Sequence, residues 1–594
     1  MKRWRPLRRT QIITTFGIGA MVDFPGESLM LAGLDQWKYS SKDKIIDDIR
    51  LAKRMNVKYF VQPPVIIDGG ESPNLPLLSI RFPLWYQCKT CSTLQKANWY
   101  DEKKGLIKCW KCDRSNTTPV RFVVACENGH ISDFPWIEWV HKISSEDSDL
   151  DKADICDNPK LKLESYGPGL SGIRVMCVNC GKKTGISSAY SQNGVPGMKC
   201  TGERPWLGSE GKEVCAKKPK IVQRGASNVY FPEVISSILI PSGKKTSELH
   251  KIDLFCNDTE KVKKLKERAN AEGIIDKLVI EISMEGAGID VAFIEEFENR
   301  LYGIELDTDD KDISNDQIEV NYRLDEYNEL LSCENIDKSK LITNEQNILE
   351  YDIFSDIFSN VVLVKKLSVT KVLRGFSRLT TDHESLCSLS LERKSWLPGV
   401  RTFGEGIFLK LNDEKVDKWS ENPIIQKRIK YLLEREAILA DSWHRDKRNL
   451  PDKFFLLHAI SHILIRQLSF ECGYGSSSLS ERIYCNRNGG SPMSGILIYT
   501  AAGDTEGTMG GLVQQGKPQN LVRTLKKAIN HSRWCSSDPV CIESKGQGSD
   551  SSNLAACHTC LLLPETCCEE GNRLLDRGLL IGTLVNPEAG FFND

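Results

Sequence analysis

The sequence predicts an α+β multidomain protein, with zinc-ribbon modules in its N-terminal half and a mixed α/β C-terminal domain built on a four-cysteine zinc site. Three observations lead there. At 594 residues the chain exceeds what one hydrophobic core organises, so several domains are expected. Eight of its 21 cysteines fall in four CxxC pairs, each of which puts two sulfurs at the tip of one turn. Stretches that alternate apolar and polar residues, such as NVVLVKKLSVTKVLRGFSRL, are interspersed with helical patterns such as DKFFLLHAISHILIRQLSFECGY.

Composition narrows the class. Hydrophobic content of 40% and charged content of 27% are those of a globular chain. Lys plus Arg (79) balances Asp plus Glu (80), so any nucleic-acid surface has to be a local patch. The start, MKRWRPLRRTQIITTFGIGAMVDFPG, has basic residues and then an apolar run, but the run contains Gln11, Thr14 and Thr15, ends at Asp23 and lacks a small-x-small cleavage site. No run of about 18 apolar residues offers a membrane span. The expectation is a cytoplasmic chain, in which clustered cysteines are metal ligands rather than disulfides.

Residues 1–80 form an N-terminal arm and small α/β segment, with Lys2, Arg3, Arg5, Arg8 and Arg9 among the first nine positions. The arm is either a solvated terminus packed along another domain or a contact for phosphate or a partner. Residues 81–145 carry Cys88-KT-Cys91 and, after seventeen residues, Cys109-WK-Cys112, the spacing of a zinc ribbon. Cys126-ENG-His130 follows; it either adds ligands or is a buried turn beside the aromatic DFPWIEW.

Residues 146–245 repeat the theme as a second zinc-binding module, from Cys177, Cys180, Cys200 and Cys215, with a glycine directly after the first knuckle. Residues 246–350 are a charged helical segment with a helix expected over DTEKVKKLKERANAEG; its acidic runs read as solvated faces. Residues 351–440 are β-rich, and Arg374, Arg378 and Arg401 lie on or beside the strands, where guarding a strand edge is the favoured role over binding. Glu405, between two glycines, has the setting of a site residue but no companion.

Residues 441–594 form the last domain. His458 and His462 sit at i and i+4 on an apolar helix, but Ala459 replaces the glutamate of HExxH, and core histidines are the better reading. The metal ligands expected here are Cys535, Cys541, Cys557 and Cys560, braced against an amphipathic NRLLDRGLL helix. The spacing from Cys560 to Cys567 leaves it open whether Cys567 replaces Cys535. The loop Gly511-LVQQ-Gly516-Lys517-Pro518 has phosphate-loop spacing, but Pro518 replaces the magnesium-binding Ser or Thr and removes an N–H. No deaminase, GxSxG or paired phosphodiesterase motif occurs. Zn²⁺ is the expected cofactor for four-thiolate sets.

Several passages carry a resemblance. LLHAISHILIRQLSFECGY, GILIYTAAGDTEGTMGGLV and the CxxC-LLLPET-C end look like the zinc-binding domain that closes MrfA-type DNA-repair helicases. Together with RRTQIITTFGIGAMVDFPGESLMLAGLDQW, CENGHISDFPW, RGASNVYFP and GFSRL, they make most of the chain, least of all 246–350, resemble the DrmB family, the non-motor subunits of DISARM anti-phage systems. That resemblance implies a non-catalytic zinc-binding subunit paired with a DrmA-like superfamily-two helicase that hydrolyses the ATP, with DNA engaged through the complex and no membrane. The alternative is a stand-alone zinc-ribbon nucleic-acid-binding protein. A metalloenzyme built on Cys126, His130 and Asp133 is the least favoured reading.

Overall fold

The computed structural model describes residues 7–40, 43–46, 48–63, 77–97, 107–113, 117–141, 153–191, 194–240, 244–256, 259–270, 275–302, 315–380, 385–442, 447–448, 450–473, 475–486, 492–500, 510–548, 551–564 and 567–593. The chain forms two units, each assembled from three separate stretches. The first takes Met1–Ile46, Tyr59–Ser236 and Lys371–Val400; the second takes Asp47–Lys58, Ser237–Thr370 and Arg401–Asp594.

The first unit is built on short antiparallel strands. Six of them form one sheet in the order Lys183–Gly185, Ile173–Cys177, Leu161–Ser165, Thr93–Lys96, Trp85–Cys88, Thr117–Pro119. A three-stranded sheet places Phe122–Ala125 between Ile131–Asp133 and Lys220–Gln223. The DFPWIEW aromatics fill the core under these sheets: Phe134, Trp136 and Trp139 are buried and pack edge-on against one another. Their segment continues into the helix Trp136–His141. The N-terminal arm begins with the helix Arg9–Ile13, and the Arg9 guanidinium donates to the Pro63 carbonyl (3.1 Å) and to Gln62 Oε1 (3.2 Å). Lys2, Arg3 and Arg5 lie outside the described residues.

Arg378 neither guards an edge nor faces a ligand. It is fully buried and donates to the carbonyls of Gly129, Val229 and Gly19, with its guanidinium over Trp206 and Phe376. A buried cation is tolerated when it is hydrogen-bonded, and here each of the three guanidinium nitrogens has a carbonyl acceptor, so the side chain clamps three loops. Gly19 sits at φ +78°, where a Cβ would meet the Phe376 ring at 2.5 Å, so a turn next to this clamp requires glycine.

The second unit contains long strands and the larger helices. Its sheet runs Leu479–Cys485, Ser494–Thr500, residues 401–411 of the strand Trp396–Leu411 and residues 358–370 of the strand Phe358–Ser377, with Leu341–Gln346 on the last strand. The helix Asp452–Cys472 packs on this sheet. Fourteen of its residues, among them His458, Ser461 and His462, are buried, so it is a core helix with almost no wet face.

The 246–350 region forms Lys244–Cys256, Thr259–Lys266, Lys277–Gly286, Ile294–Leu301 and Asn315–Ser332, and the first four share a small core around Phe255 and Phe297. The acidic run at 305–311 lies outside the described residues. Glu326 departs from the solvated face expected there: it is buried and takes two hydrogen bonds from the Arg482 guanidinium (2.5 and 2.9 Å) and one from the Tyr484 hydroxyl (3.1 Å). No helix among the described residues is long and apolar enough to cross a membrane.

Candidate metal centres

Three of the cysteine groups grow from the same local device, a β-hairpin turn carrying a ligand at each side. Cys88 ends the strand Trp85–Cys88 and Cys91 precedes Thr93–Lys96. Cys177 ends Ile173–Cys177, and Cys180 stands in the turn before Lys183–Gly185, where Gly181 takes φ +73°. Cys126 follows Phe122–Ala125 and His130 precedes Ile131–Asp133; Gly129 N–H closes this turn onto the Cys126 carbonyl at 2.9 Å. Antiparallel pairing on either side of each turn fixes where the ligand atoms point before any metal arrives.

The structure brings Cys88, Cys91, Cys109 and Cys112 into one group. Sulfur separations are 3.7 Å (Cys88–Cys112), 3.5 Å (Cys91–Cys109) and 3.8 Å (Cys91–Cys112). A tetrahedral zinc with Zn–S near 2.3 Å requires S···S edges of about 3.8 Å. Cys535, Cys541, Cys557 and Cys560 form a second all-sulfur group, with separations of 3.4 Å (Cys535–Cys557), 3.7 Å (Cys541–Cys560) and 3.6 Å (Cys557–Cys560). Cys567 stays out of it, buried in the apolar core, so Cys535 completes the set.

The four cysteines read from the sequence as one second module are not brought together. Cys200 and Cys215 join Cys126 and His130, whereas Cys177 and Cys180 join His141 and Cys156. Cys200 and Cys215 are thereby completed by the Cys-x3-His turn, and Cys177 and Cys180 by two residues, His141 and Cys156, that carry no local signal. In the first of these groups Cys126 Sγ is 3.6 Å from Cys200 Sγ and 3.3 Å from His130 Nδ1. His130 Nε2 donates to Glu213 Oε1 at 2.7 Å, which leaves the Nδ1 lone pair for the metal position. In the second, Cys156 and Cys177 sulfurs are 3.7 Å apart, and Cys180 Sγ is 3.3 Å from His141 Nε2. His141 Nδ1 donates to the Ile137 carbonyl at 2.7 Å, and that fixes Nε2 as the free nitrogen. Asp133 takes no part: its carboxylate accepts from Leu84 N–H at 3.0 Å, and burial raises its pKa to about 6.

Each group holds one thiol poised for ionisation, the form that binds metal. Cys126 falls to about 4, chiefly through its contact with Cys200, with His130 adding to it against the cost of burial. Burial acts against ionisation at Cys91, Cys177 and Cys557, yet hydrogen bonds, led by Thr93, by Cys180 N–H and by Thr559 respectively, bring each to about 6.

The C-terminal group is also braced from outside. Asp538 accepts from Cys535 N–H and Ile542 N–H (both 3.1 Å), and the buried Arg577 donates to it at 2.6 Å. Behind it, Arg428 holds Asp576 through two bonds of 2.6 and 2.7 Å. The NRLLDRGLL stretch is helical only over Gly578–Ile581, so these side-chain bonds do the bracing that a longer helix was expected to do.

The phosphate-loop-like stretch has an internal occupant. Glu405 accepts from the N–H groups of Gly510 (2.7 Å), Leu512 (2.8 Å) and Val513 (3.3 Å), at the start of the helix Gly511–Gln515.

Comparison with known proteins agrees with this arrangement. Residues 460–561 match the MrfA Zn-binding domain family, a span that encloses Cys535, Cys541, Cys557 and Cys560, and the donor set and its spacing suit zinc. Residues 8–231, which hold the other three groups, match a family described as a domain of unknown function, DUF8724. The "DISARM protein DrmB" of Bacillus paralicheniformis is 32% identical over 596 aligned positions, which take in 96% of this chain and 99% of that protein. With likeness running from end to end rather than through one module, the chain belongs to the DrmB family of DISARM proteins.

Proposed function

We propose that this chain is a non-catalytic, zinc-braced subunit of a cytoplasmic anti-phage defence complex, paired with a superfamily-two helicase that supplies ATP hydrolysis and engages DNA jointly with it. The end-to-end likeness to a DISARM protein carries the reading, and the MrfA-type zinc domain at the C-terminal end favours a helicase as the partner. Zinc here supplies geometry rather than chemistry: four protein ligands leave no position open for water or substrate. Two of the groups are all-thiolate and two are Cys3His; three fasten a hairpin turn to a more distant segment, and the fourth fastens a C-terminal stretch with little regular secondary structure.

The test is affinity purification of the tagged chain from its native cell. A large helicase recovered in equal amount is the expected result; recovery of the chain alone would overturn the pairing. The stand-alone nucleic-acid-binding alternative assigns a phosphate-contacting role to the N-terminal arginines, and Arg9 is already engaged by Pro63 and Gln62.

A further inference from the structure

A fifth cluster lies in the second unit, apart from the four cysteine-rich groups, and the defence reading does not depend on it. His458 and His462 from the helix Asp452–Cys472, Glu481 from the strand Leu479–Cys485, and Cys568 from the segment after the C-terminal CxxC bring one ligand atom each within 4.8 Å of one another. His458 Nε2 is 3.1 Å from Cys568 Sγ and 3.3 Å from Glu481 Oε1; His462 Nε2 is 3.7 Å from the same oxygen. Both imidazoles and the carboxylate are fully enclosed, and Cys568 is 8% exposed.

The ordinary account of such a cluster is a buried histidine–glutamate ion pair. His462 argues against it. Its Nδ1 lies 2.9 Å from the Leu561 carbonyl, an acceptor only, so Nδ1 carries the proton. Nε2 then presents a lone pair, buried and without a hydrogen-bond partner, towards a carboxylate oxygen. A protonated Nε2 would close to the ~2.8 Å of a charge-assisted bond rather than stand at 3.7 Å. Two electron-pair donors facing each other in a dry site require a cation between them. The 3.1–3.7 Å edges fit ligands about 2.0–2.3 Å from a common centre.

Cys568 gives a second, independent indication. Its Sγ accepts from two backbone N–H groups, Glu570 (3.3 Å) and Asn572 (3.2 Å). The same N–H to sulfur contact recurs at cysteines of the other groups, from Ser537 to Cys535 (3.4 Å) and from Gly202 to Cys200 (3.4 Å). Such donors fix the direction in which the sulfur points. Glu481 is likewise oriented from behind, accepting from Ser461 Oγ and from Glu569 N–H (3.1 Å). Outer-sphere bonds of this kind, made here by His462, Glu481 and Cys568 but not by His458 Nδ1, are the usual accompaniment of a metal site.

We propose that His458, His462, Glu481 and Cys568 form a closed structural Zn²⁺ site of His2GluCys type. It fastens the core helix to the edge strand and to the segment following the C-terminal four-cysteine group. Four enclosed protein ligands of mixed nitrogen, oxygen and sulfur suit zinc in tetrahedral geometry, and nothing in the cluster leaves a position for substrate.

The test is metal analysis of the purified full-length chain, wild type against H462N and C568S. Each variant is expected to hold one zinc equivalent fewer than wild type while keeping the zinc of the four cysteine-rich groups. An unchanged count in a folded variant would overturn the site. Should both variants fail to fold, H462C retains four ligands. In the cobalt-substituted protein it should then strengthen the thiolate-to-cobalt charge-transfer absorption over wild type, and no change would equally overturn the proposal. Because the comparison is a difference between variants, empty cysteine-rich groups would lower both counts equally and leave the one-equivalent difference at this cluster measurable.

Discussion

Replacing Cys557 and Cys560 together by serine removes two of four thiolates from the C-terminal group and leaves Cys535 and Cys541 with no closed site. The consequence can be scaled from what else orders this region. Over 533–593 the described regular structure is one four-residue helix, Gly578–Ile581, and one 3-10 turn, Pro587–Ala589. The backbone there is held by turns, by the Asp538–Arg577 and Arg428–Asp576 bonds, and by packing of Leu561, Leu574, Leu575, Leu579 and Phe591 into the core. A structural zinc is worth on the order of 10 kcal/mol to a module of this kind, comparable with the whole stability of a domain, about 5–15 kcal/mol. The double variant should therefore lose one zinc equivalent, and its C-terminal segment should become protease-sensitive while cleavage in the first unit stays slow. Metal analysis and limited proteolysis with mass mapping of the cuts provide the assay. A variant that keeps the wild-type zinc count, or loses zinc and keeps its protease resistance, would refute the claim that metal orders this region.

Other perturbations follow from single contacts. Glu213→Ala removes the acceptor that fixes the His130 tautomer, and zinc affinity at that group should fall about 10–100-fold in a chelator competition titration, with the other groups unaffected. Arg482→Met strips buried Glu326 of both guanidinium bonds and leaves it only the Tyr484 hydroxyl and Arg50 at 3.9 Å, which costs up to about 3–5 kcal/mol and should lower the urea midpoint; adding Glu326→Leu should recover much of that loss. Asp133→Asn tests pH dependence. Burial raises Asp133 from 3.8 to about 6, so the folded chain prefers the protonated form; that contribution is present below the unfolded pKa and is lost as pH rises through about 6. The asparagine variant should therefore be more stable than wild type at pH 8, by up to about 3 kcal/mol, with the advantage shrinking towards pH 5.

What the sequence made legible depended on how local each signal was. CxxC pairs are visible because both ligands sit on one turn, and Cys88, Cys91, Cys109 and Cys112 needed only two such pairs at ribbon spacing. His141 and Cys156 had no such signature. His141 looks like the end of an aromatic helix, and only the pairing of distant strands carries Cys177 and Cys180 to it. Grouping Cys177 and Cys180 with Cys200 and Cys215 followed chain order, whereas the hairpins Cys126–His130 and Cys177–Cys180 lie on different sheets. The one sign that could have separated them was the Cys-x3-His spacing around Gly129. His458 and His462 were legible as a pair at helical spacing. Glu481 and Cys568, which change their meaning, lie 19 and 106 residues beyond His462. Discontinuous units were invisible for the same reason, since Asp47–Lys58 joins a unit otherwise made of residues beyond 236.

Glu405 shows how a misleading motif and an isolated residue explain each other. Glycine spacing at 511–516 resembles a phosphate loop because both need a tight approach to a helix start, where unsatisfied N–H groups favour an anion. Here the anion is part of the chain. The Glu405 carboxylate is 1% exposed and takes N–H groups of Gly510, Leu512 and Val513, the donors that a bound phosphate would need. A nucleotide would have to displace a buried, triply bonded carboxylate and then meet a proline where a magnesium ligand belongs, so this loop is a structural joint. The same pattern runs through the second unit: Arg482 and Glu326 tie a strand to a helix, and Asp538 and Arg577 tie segments around the C-terminal cysteine group.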